Sequence, residues 1–236
     1  MDKEYGLPSL EDNSFDLLLT DPPYNIEATI TKGLKYNHRR DNYIKIYEDK
    51  IENYKEWCEK WYLEGKRIAK MVGFTCGKNN PQLWYTIDNF HLVTWFIPNS
   101  SSRGFVSKFV KSEPILFSGD FKQNKLKFDI INAYVDSGFL VKPYDIIHPH
   151  PKPLRLYNKI IKELNPLSVI DPFLGSGTTA EVCEKLAIPW IGYEINEVYS
   201  QDIEKRLRNV KVEPKQQSLE GFLAPEKYEK IEVTGS

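Results

Sequence analysis

The stretch that most constrains this chain is Phe15-Asp16-Leu17-Leu18-Leu19-Thr20-Asp21-Pro22-Pro23-Tyr24. An apolar run that stops at an acid and two prolines reads as a strand buried in a parallel sheet. Neither proline has an N–H to donate, and each fixes its own φ near about −65°. Pro22 also pushes Asp21 out of helical geometry, and Pro23 does the same to Pro22. Asp21 and Tyr24 are therefore expected on a stiff loop at the carboxyl end of a strand. That is the edge at which open α/β sheets bind ligands. A strand closed by an ordinary Asp-Pro turn is the structural alternative.

A second strand-to-helix junction lies far along the chain, at Asp171-Pro172-Phe173-Leu174-Gly175-Ser176-Gly177-Thr178-Thr179. Its glycines let the backbone turn sharply and approach a ligand closely. The start of the following helix offers free N–H groups to an anionic group. The GxxxxGK[ST] spacing of a nucleotide P-loop is absent, which disfavours a nucleotide-binding switch. Glu194 closes the next strand, where an acid can accept both hydroxyls of a ribose.

Between these junctions the pattern alternates strands and helices. Tyr54, Trp57, Cys58, Trp61 and Ile68 recur at helical spacing within residues 52–70. Strands are expected at 71–76, 92–97 and 114–117, and a helix over 80–90 starting near Pro81. Leu154, Tyr157, Ile160, Ile161 and Leu164 form another helical stripe, with Pro153 in its first turn. A strand at 168–171, a helix at 177–187, a strand at 190–195 and a helix at 197–208 complete the series. Strand and helix in alternation at this spacing imply a mostly parallel sheet with helices on both faces. Residues 122–144 have weak periodicity and read as an irregular insertion. Residues 1–236 are expected to form a single domain, with a short insertion within 99–147 and a peripheral tail at 213–236.

Hydrophobic residues make up 41% and charged residues 28% of the 236, enough for a core and too balanced for global disorder. No apolar stretch approaches the roughly 20 residues of a membrane span. The N-terminus lacks the features of a signal peptide, so a cytoplasmic location is expected. Cys58, Cys76 and Cys183 are odd in number and far apart, which suggests buried reduced thiols rather than disulfides or zinc ligands. His148 and His150 stand two apart among prolines with no third ligand near, so no metal is expected.

The net charge of −1 argues against a general polycation, but two stretches are locally basic. Lys32, Lys35, Arg39 and Arg40 lie among Tyr36, His38 and Tyr43; Arg103 and Lys108 belong to a second run. Such stretches suit phosphate contacts and base stacking, or a solvated surface.

Taken together, these residues resemble the β group of DNA amino-methyltransferases. The Asp21-Pro22-Pro23-Tyr24 string is similar to that family's catalytic motif. Phe173, Gly175 and Gly177 resemble its F-x-G-x-G loop, and Glu194 its ribose-binding acid. His148-Pro149-x-x-Lys152-Pro153 resembles its H-P-x-x-K-P element, beside the cofactor's methionine end. The order matches too: catalytic motif first, cofactor motifs last, a circular permutation of the usual order.

The resemblance implies a Rossmann-like methyltransferase fold and S-adenosylmethionine as cofactor. It implies methylation of the exocyclic amino group of a base flipped out of double-stranded DNA. Catalysis would fall to Asp21, Pro22, Pro23 and Tyr24. Cofactor binding would fall to Asp171, Phe173, Gly175, Gly177, Thr178, Glu194 and Lys152. DNA contacts would fall to Lys32, Lys35, Arg39, Arg40, Arg103 and Lys108. Asp21 at the first motif position points to adenine N6, with cytosine N4 the alternative. A short insertion leaves DNA reading to the 25–50 loop, a second copy in a homodimer, or a partner. His150-Pro151 departs from the family's usual Thr-Gln. The motif order disfavours RNA and protein methyltransferases. A catalytically inactive subunit is the rival of another class, and intact motif residues disfavour it.

Overall fold

The computed structural model describes residues 6–25, 51–100, 109–122, 125–135, 151–208 and 210–212. Strand β1 (Phe15–Thr20) lies inside one seven-stranded sheet, between β2 (Ala69–Thr75) and β6 (Val169–Asp171), parallel to both. Leu17 and Leu19 enter one core cluster and Leu18 the other. A strand covered on both faces has no polar side to keep, which explains the unbroken apolar run.

The sheet continues through β3 (His91–Phe96), β4 (Ser112–Gly119), β5 (Ile130–Asn132) and β7 (Trp190–Gly192), in the order β5-β3-β4-β2-β1-β6-β7. Only β4 runs against its neighbours; the other pairings are parallel. The start of β4 therefore lies at the rim where β1 and β2 end, with Ile115 opposite Thr75.

Helix α1 (Tyr54–Ile68) packs on one face through Cys58, Trp61, Tyr62 and Ile68, all fully buried. Large side chains buried to this degree contribute about 1.5–3 kcal/mol each. Helix α3 (Leu154–Leu164) covers the other face through Leu156, Tyr157, Ile160, Ile161 and Leu164, and α4 (Thr178–Leu186) joins it through Val182 and Cys183. Asn165 stops α3 in the left-handed region, its N–H bonded to the Ile161 carbonyl at 2.8 Å. A 3-10 turn (Glu197–Tyr199) leads into α5 (Ser200–Arg208).

Four local expectations need correction. The helix expected over 80–90 is a single turn, α2 (Pro81–Trp84). Thr86, Ile87, Asp88 and Asn89 are weak helix formers, and the Asp88 carboxylate is held instead by Tyr62, Lys66 and its neighbour's N–H. Helix α1 ends two residues early, because Ala69 and Lys70 already pair in β2. Strand β4 extends beyond 114–117, and Pro114 is tolerated because the pairing with β2 stops at Ile115. Residues 122–144 read as irregular from their pattern, yet Ile130–Asn132 forms edge strand β5; three residues are too few to show a period. All three cysteines are buried and free, and burial pushes the Cys58 and Cys76 thiols up to about 12.

Candidate active site

The loop after β1 is braced from below. The Tyr54 hydroxyl donates to the Pro23 carbonyl at 2.8 Å, and Asn80 Nδ2 donates to the Tyr24 carbonyl at 2.7 Å. Gly77, at φ +67°, lies under the Tyr24 ring; a Cβ there would sit 2.8 Å from ring Cδ2. A side chain would be strained by the backbone and would also displace the tyrosine.

Four elements converge on Asp21 at the rim. Thr75, the last residue of β2, donates its hydroxyl to Asp21 Oδ1. The Tyr24 hydroxyl lies 2.5 Å from Asp21 Oδ1 and 2.5 Å from Glu113 Oε1. Lys152 Nζ lies 2.8 Å from Asp21 Oδ2, 3.3 Å from Glu113 Oε1 and 3.1 Å from the Tyr24 hydroxyl. Burial, then the charges of Asp21 and Glu113, raises the Tyr24 phenol well above its ordinary value, so it stays neutral. Burial would lower the Lys152 ammonium, but Asp21 and Glu113 outweigh it and the group remains charged.

The adjoining cleft is lined by both junctions, by Asp21 and Lys152 from one side and Phe173, Gly175 and Thr178 from the other. Asp171, 3% exposed, ties them together. It accepts Thr20 Oγ1 at 2.5 Å, Thr179 Oγ1 at 2.5 Å and the Phe173 N–H at 3.0 Å. Burial raises its carboxyl to about 6 against those hydrogen bonds. Gly175 and Gly177 have φ of 54° and 80°, the left-handed region that glycine enters freely. Glu194 Oε2 accepts the Gly175 N–H at 2.7 Å, and Oε1 accepts the Asn196 N–H at 2.7 Å. Burial lifts the Glu194 carboxyl to about 7. Phe173 packs between Trp57 and Trp61, and Thr178 Oγ1 donates to the Lys152 carbonyl at 3.0 Å.

Asp21, Tyr24, Lys152, Asp171, Phe173, Gly175, Gly177, Thr178 and Glu194 are thus brought to one rim. Two sit differently from the expectation. Lys152 lines the cleft, but its ammonium pairs with the carboxylates around Tyr24, because two acids compete for it there. Asp171 also lines the cleft, but its carboxylate accepts from Thr20, Thr179 and Phe173, holding β6 to β1 and α4. Lys32, Lys35, Arg39, Arg40, Arg103, Lys108, His148 and His150 lie outside the described residues.

Sequence reasoning missed Thr75, Gly77, Glu113, Tyr157 and Arg206. Tyr157 lines the cleft from α3. Arg206 of α5, 4% exposed, pairs with Glu181 at 2.7 Å and reaches Ser176 Oγ at 3.3 Å, bracing the glycine loop. An acid directly before Pro114 and an apolar run was the available signal for Glu113. Among the described residues no group of His, Cys, Asp and Glu could hold a metal ion, and no helix is long and apolar enough to cross a membrane.

Residues 122–205 match the family profile N6_N4_Mtase, described as DNA methylase. The chain is 29% identical to the type II methyltransferase M.HinfI of Haemophilus influenzae, over 88% of this chain and 67% of that protein. It is 28% identical to M.HpaI of Haemophilus parainfluenzae, over 86% of this chain and 71% of that protein. The fold resembles the cytosine-N4-specific PvuII DNA methyltransferase, with a TM-score of 0.58 at 15% identity, covering 85% of this chain and 82% of the other. It also resembles M1.HpyAVI in complex with SAM, with a TM-score of 0.52 at 20% identity, covering 85% and 90%.

Proposed function

We propose that this chain, which belongs to the β group of the DNA amino-methyltransferases, is an adenine-N6 enzyme of that group. It is a DNA methyltransferase that uses S-adenosylmethionine and acts on adenine N6 or cytosine N4. The observation that carries the proposal is the shared cleft, where Asp21 and Gly175 line one cavity although 154 positions apart in the numbering. Asp at the first motif position, where the family's cytosine enzymes usually carry Ser, favours adenine.

The cleft fits the cofactor's chemistry. Gly175 and Gly177 keep the backbone clear of side chains, and the Glu194 carboxylate is fixed two residues past the end of β7, where a ribose diol needs acceptors. When bound, the cofactor supplies an electrophilic methyl on a sulfonium.

Asp21 and the Pro22 carbonyl would accept the two N–H bonds of the target amino group. That turns the nitrogen lone pair, otherwise delocalised into the ring, toward the methyl. The Asp21 carboxylate also faces the positive charge that develops on nitrogen, the counterpart of an oxyanion hole. Tyr24 would stack on the extruded base, worth roughly 1–3 kcal/mol, against an extrusion cost of a few kcal/mol. Fixed alignment supplies the proximity contribution. No covalent enzyme intermediate is needed, and the three buried thiols are consistent with that.

The proposal includes double-stranded DNA as partner, a cytoplasmic site of action and phosphate contacts from Lys32, Lys35, Arg39, Arg40, Arg103 and Lys108. It includes one catalytic domain, with recognition by the 25–50 stretch and the 99–147 insertion, completed by a second copy of the chain on DNA. The test is nucleoside mass spectrometry on DNA from a host expressing the protein. N6-methyladenine is the expected product. N4-methylcytosine would overturn the choice of base, and DNA with neither would overturn the activity.

A further inference from the structure

We propose that Glu113 is a positioning residue of the methyl-transfer site, setting its charge balance and acceptor geometry through Lys152 and Tyr24. The inference rests on the function proposed above. Glu113 Oε1 lies 2.5 Å from the Tyr24 hydroxyl and 3.3 Å from Lys152 Nζ, and Lys152 is 2.8 Å from Asp21 Oδ2. The three charged side chains are largely buried, with 12% of Lys152, 18% of Glu113 and 24% of Asp21 exposed. Solvent and salt therefore screen them less than surface charges.

An ammonium paired with Asp21 alone would cancel the charge that the amino nitrogen must face as it becomes positive. Glu113 supplies a second carboxylate. Two carboxylates against one ammonium leave the cluster at a net −1. Charge set in advance where the transition state needs it lowers the barrier without rearrangement.

The second effect acts on Tyr24. Its hydroxyl lies 2.5 Å from both Asp21 Oδ1 and Glu113 Oε1, yet it carries one proton. Glu113 thus offers an alternative acceptor, drawing the hydroxyl off Asp21 when the amino group arrives. The reversed direction of β4 makes this contact available. Glu113 stands near the start of that strand, and only an antiparallel strand brings its start to the rim where β1 and β2 end.

The experiment compares wild type, Glu113→Gln, Lys152→Met and the double variant in transfer of labelled methyl to DNA. Thermal melting is followed alongside. Glu113→Gln keeps the shape but leaves a neutral cluster. Its kcat at saturating DNA and cofactor is expected to fall about 10²-fold. Glu113→Gln/Lys152→Met restores a net −1, carried by Asp21 alone, and is expected to recover at least about tenfold over Glu113→Gln. A purely structural role predicts the reverse, a second loss added to the first. Wild-type kcat in Glu113→Gln, or a double variant no better than that single one, would overturn the inference. An inactive wild type in the same assay would instead overturn the function on which it rests.

Discussion

On the ribose-binding role proposed for Glu194, its contributions to stability and to cofactor affinity respond to pH in opposite directions. Burial raises its carboxyl from 4.5 to about 7, so the folded chain holds this proton more tightly than the unfolded one. Its contribution to stability is full below about pH 4.5 and is lost as pH rises through about 7. Ribose hydroxyls need the ionised acceptor, so cofactor affinity should rise across the same window. Titration calorimetry from about pH 6 to about pH 8 is expected to show that rise, and Glu194→Gln should weaken binding and flatten it. An unchanged slope in the variant would remove Glu194 from ribose binding. Gly77→Ala probes another residue. A positive φ costs an L side chain about 1–2 kcal/mol, and the new methyl would push the Tyr24 ring aside. Denaturant titration should show that destabilisation, with kcat falling while cofactor affinity holds.

The elements that carry the site were legible to different degrees. Strand β1 and its proline stop were readable because burial on both faces leaves Leu17, Leu18 and Leu19 as a continuous apolar run before the prolines. Helices α1 and α3 were readable from stripes that remain buried at Cys58, Trp61, Ile160 and Ile161. Strand β5 was not, and neither was the direction of β4, which depends on long-range pairing rather than local pattern. Glu113 was missed as a site residue for the same reason: its partners lie 89 residues earlier and 39 residues later. The motif around Lys152 points to the cofactor because it gives proximity but not the direction of a side chain. Helix α5 offers a test at this scale. Arg206→Leu leaves Glu181, 4% exposed, with Lys185 as its one charged partner among the described residues. A destabilisation of about 3 kcal/mol in denaturant titration is expected. A weaker cofactor affinity should accompany it, because Ser176 in the glycine loop is left without its guanidinium partner. No change in either would show that α5 does not support the loop.

Across the whole molecule, one rim gathers groups from both ends of the chain. Thr20 beside Asp21 and Thr179 beyond the glycine loop bond the same Asp171 carboxylate, which ties the two junctions together. On the function proposed, basic side chains, Lys35, Arg39 and Arg40 among them, hold the DNA phosphates. Replacing Lys35, Arg39 and Arg40 by Gln is expected to reduce the slope of log affinity against log salt by about 0.9 for each phosphate that is no longer neutralised. Fluorescence anisotropy with duplex DNA measures it, and an unchanged slope would move the DNA surface elsewhere. The central claim is that Asp21 acts on the amino group while the glycine loop holds the cofactor. It is tested most directly by Asp21→Ala, assayed side by side for S-adenosylmethionine binding and for transfer of labelled methyl to DNA. Binding close to wild type with transfer abolished is the expected result; transfer at the wild-type rate would contradict it.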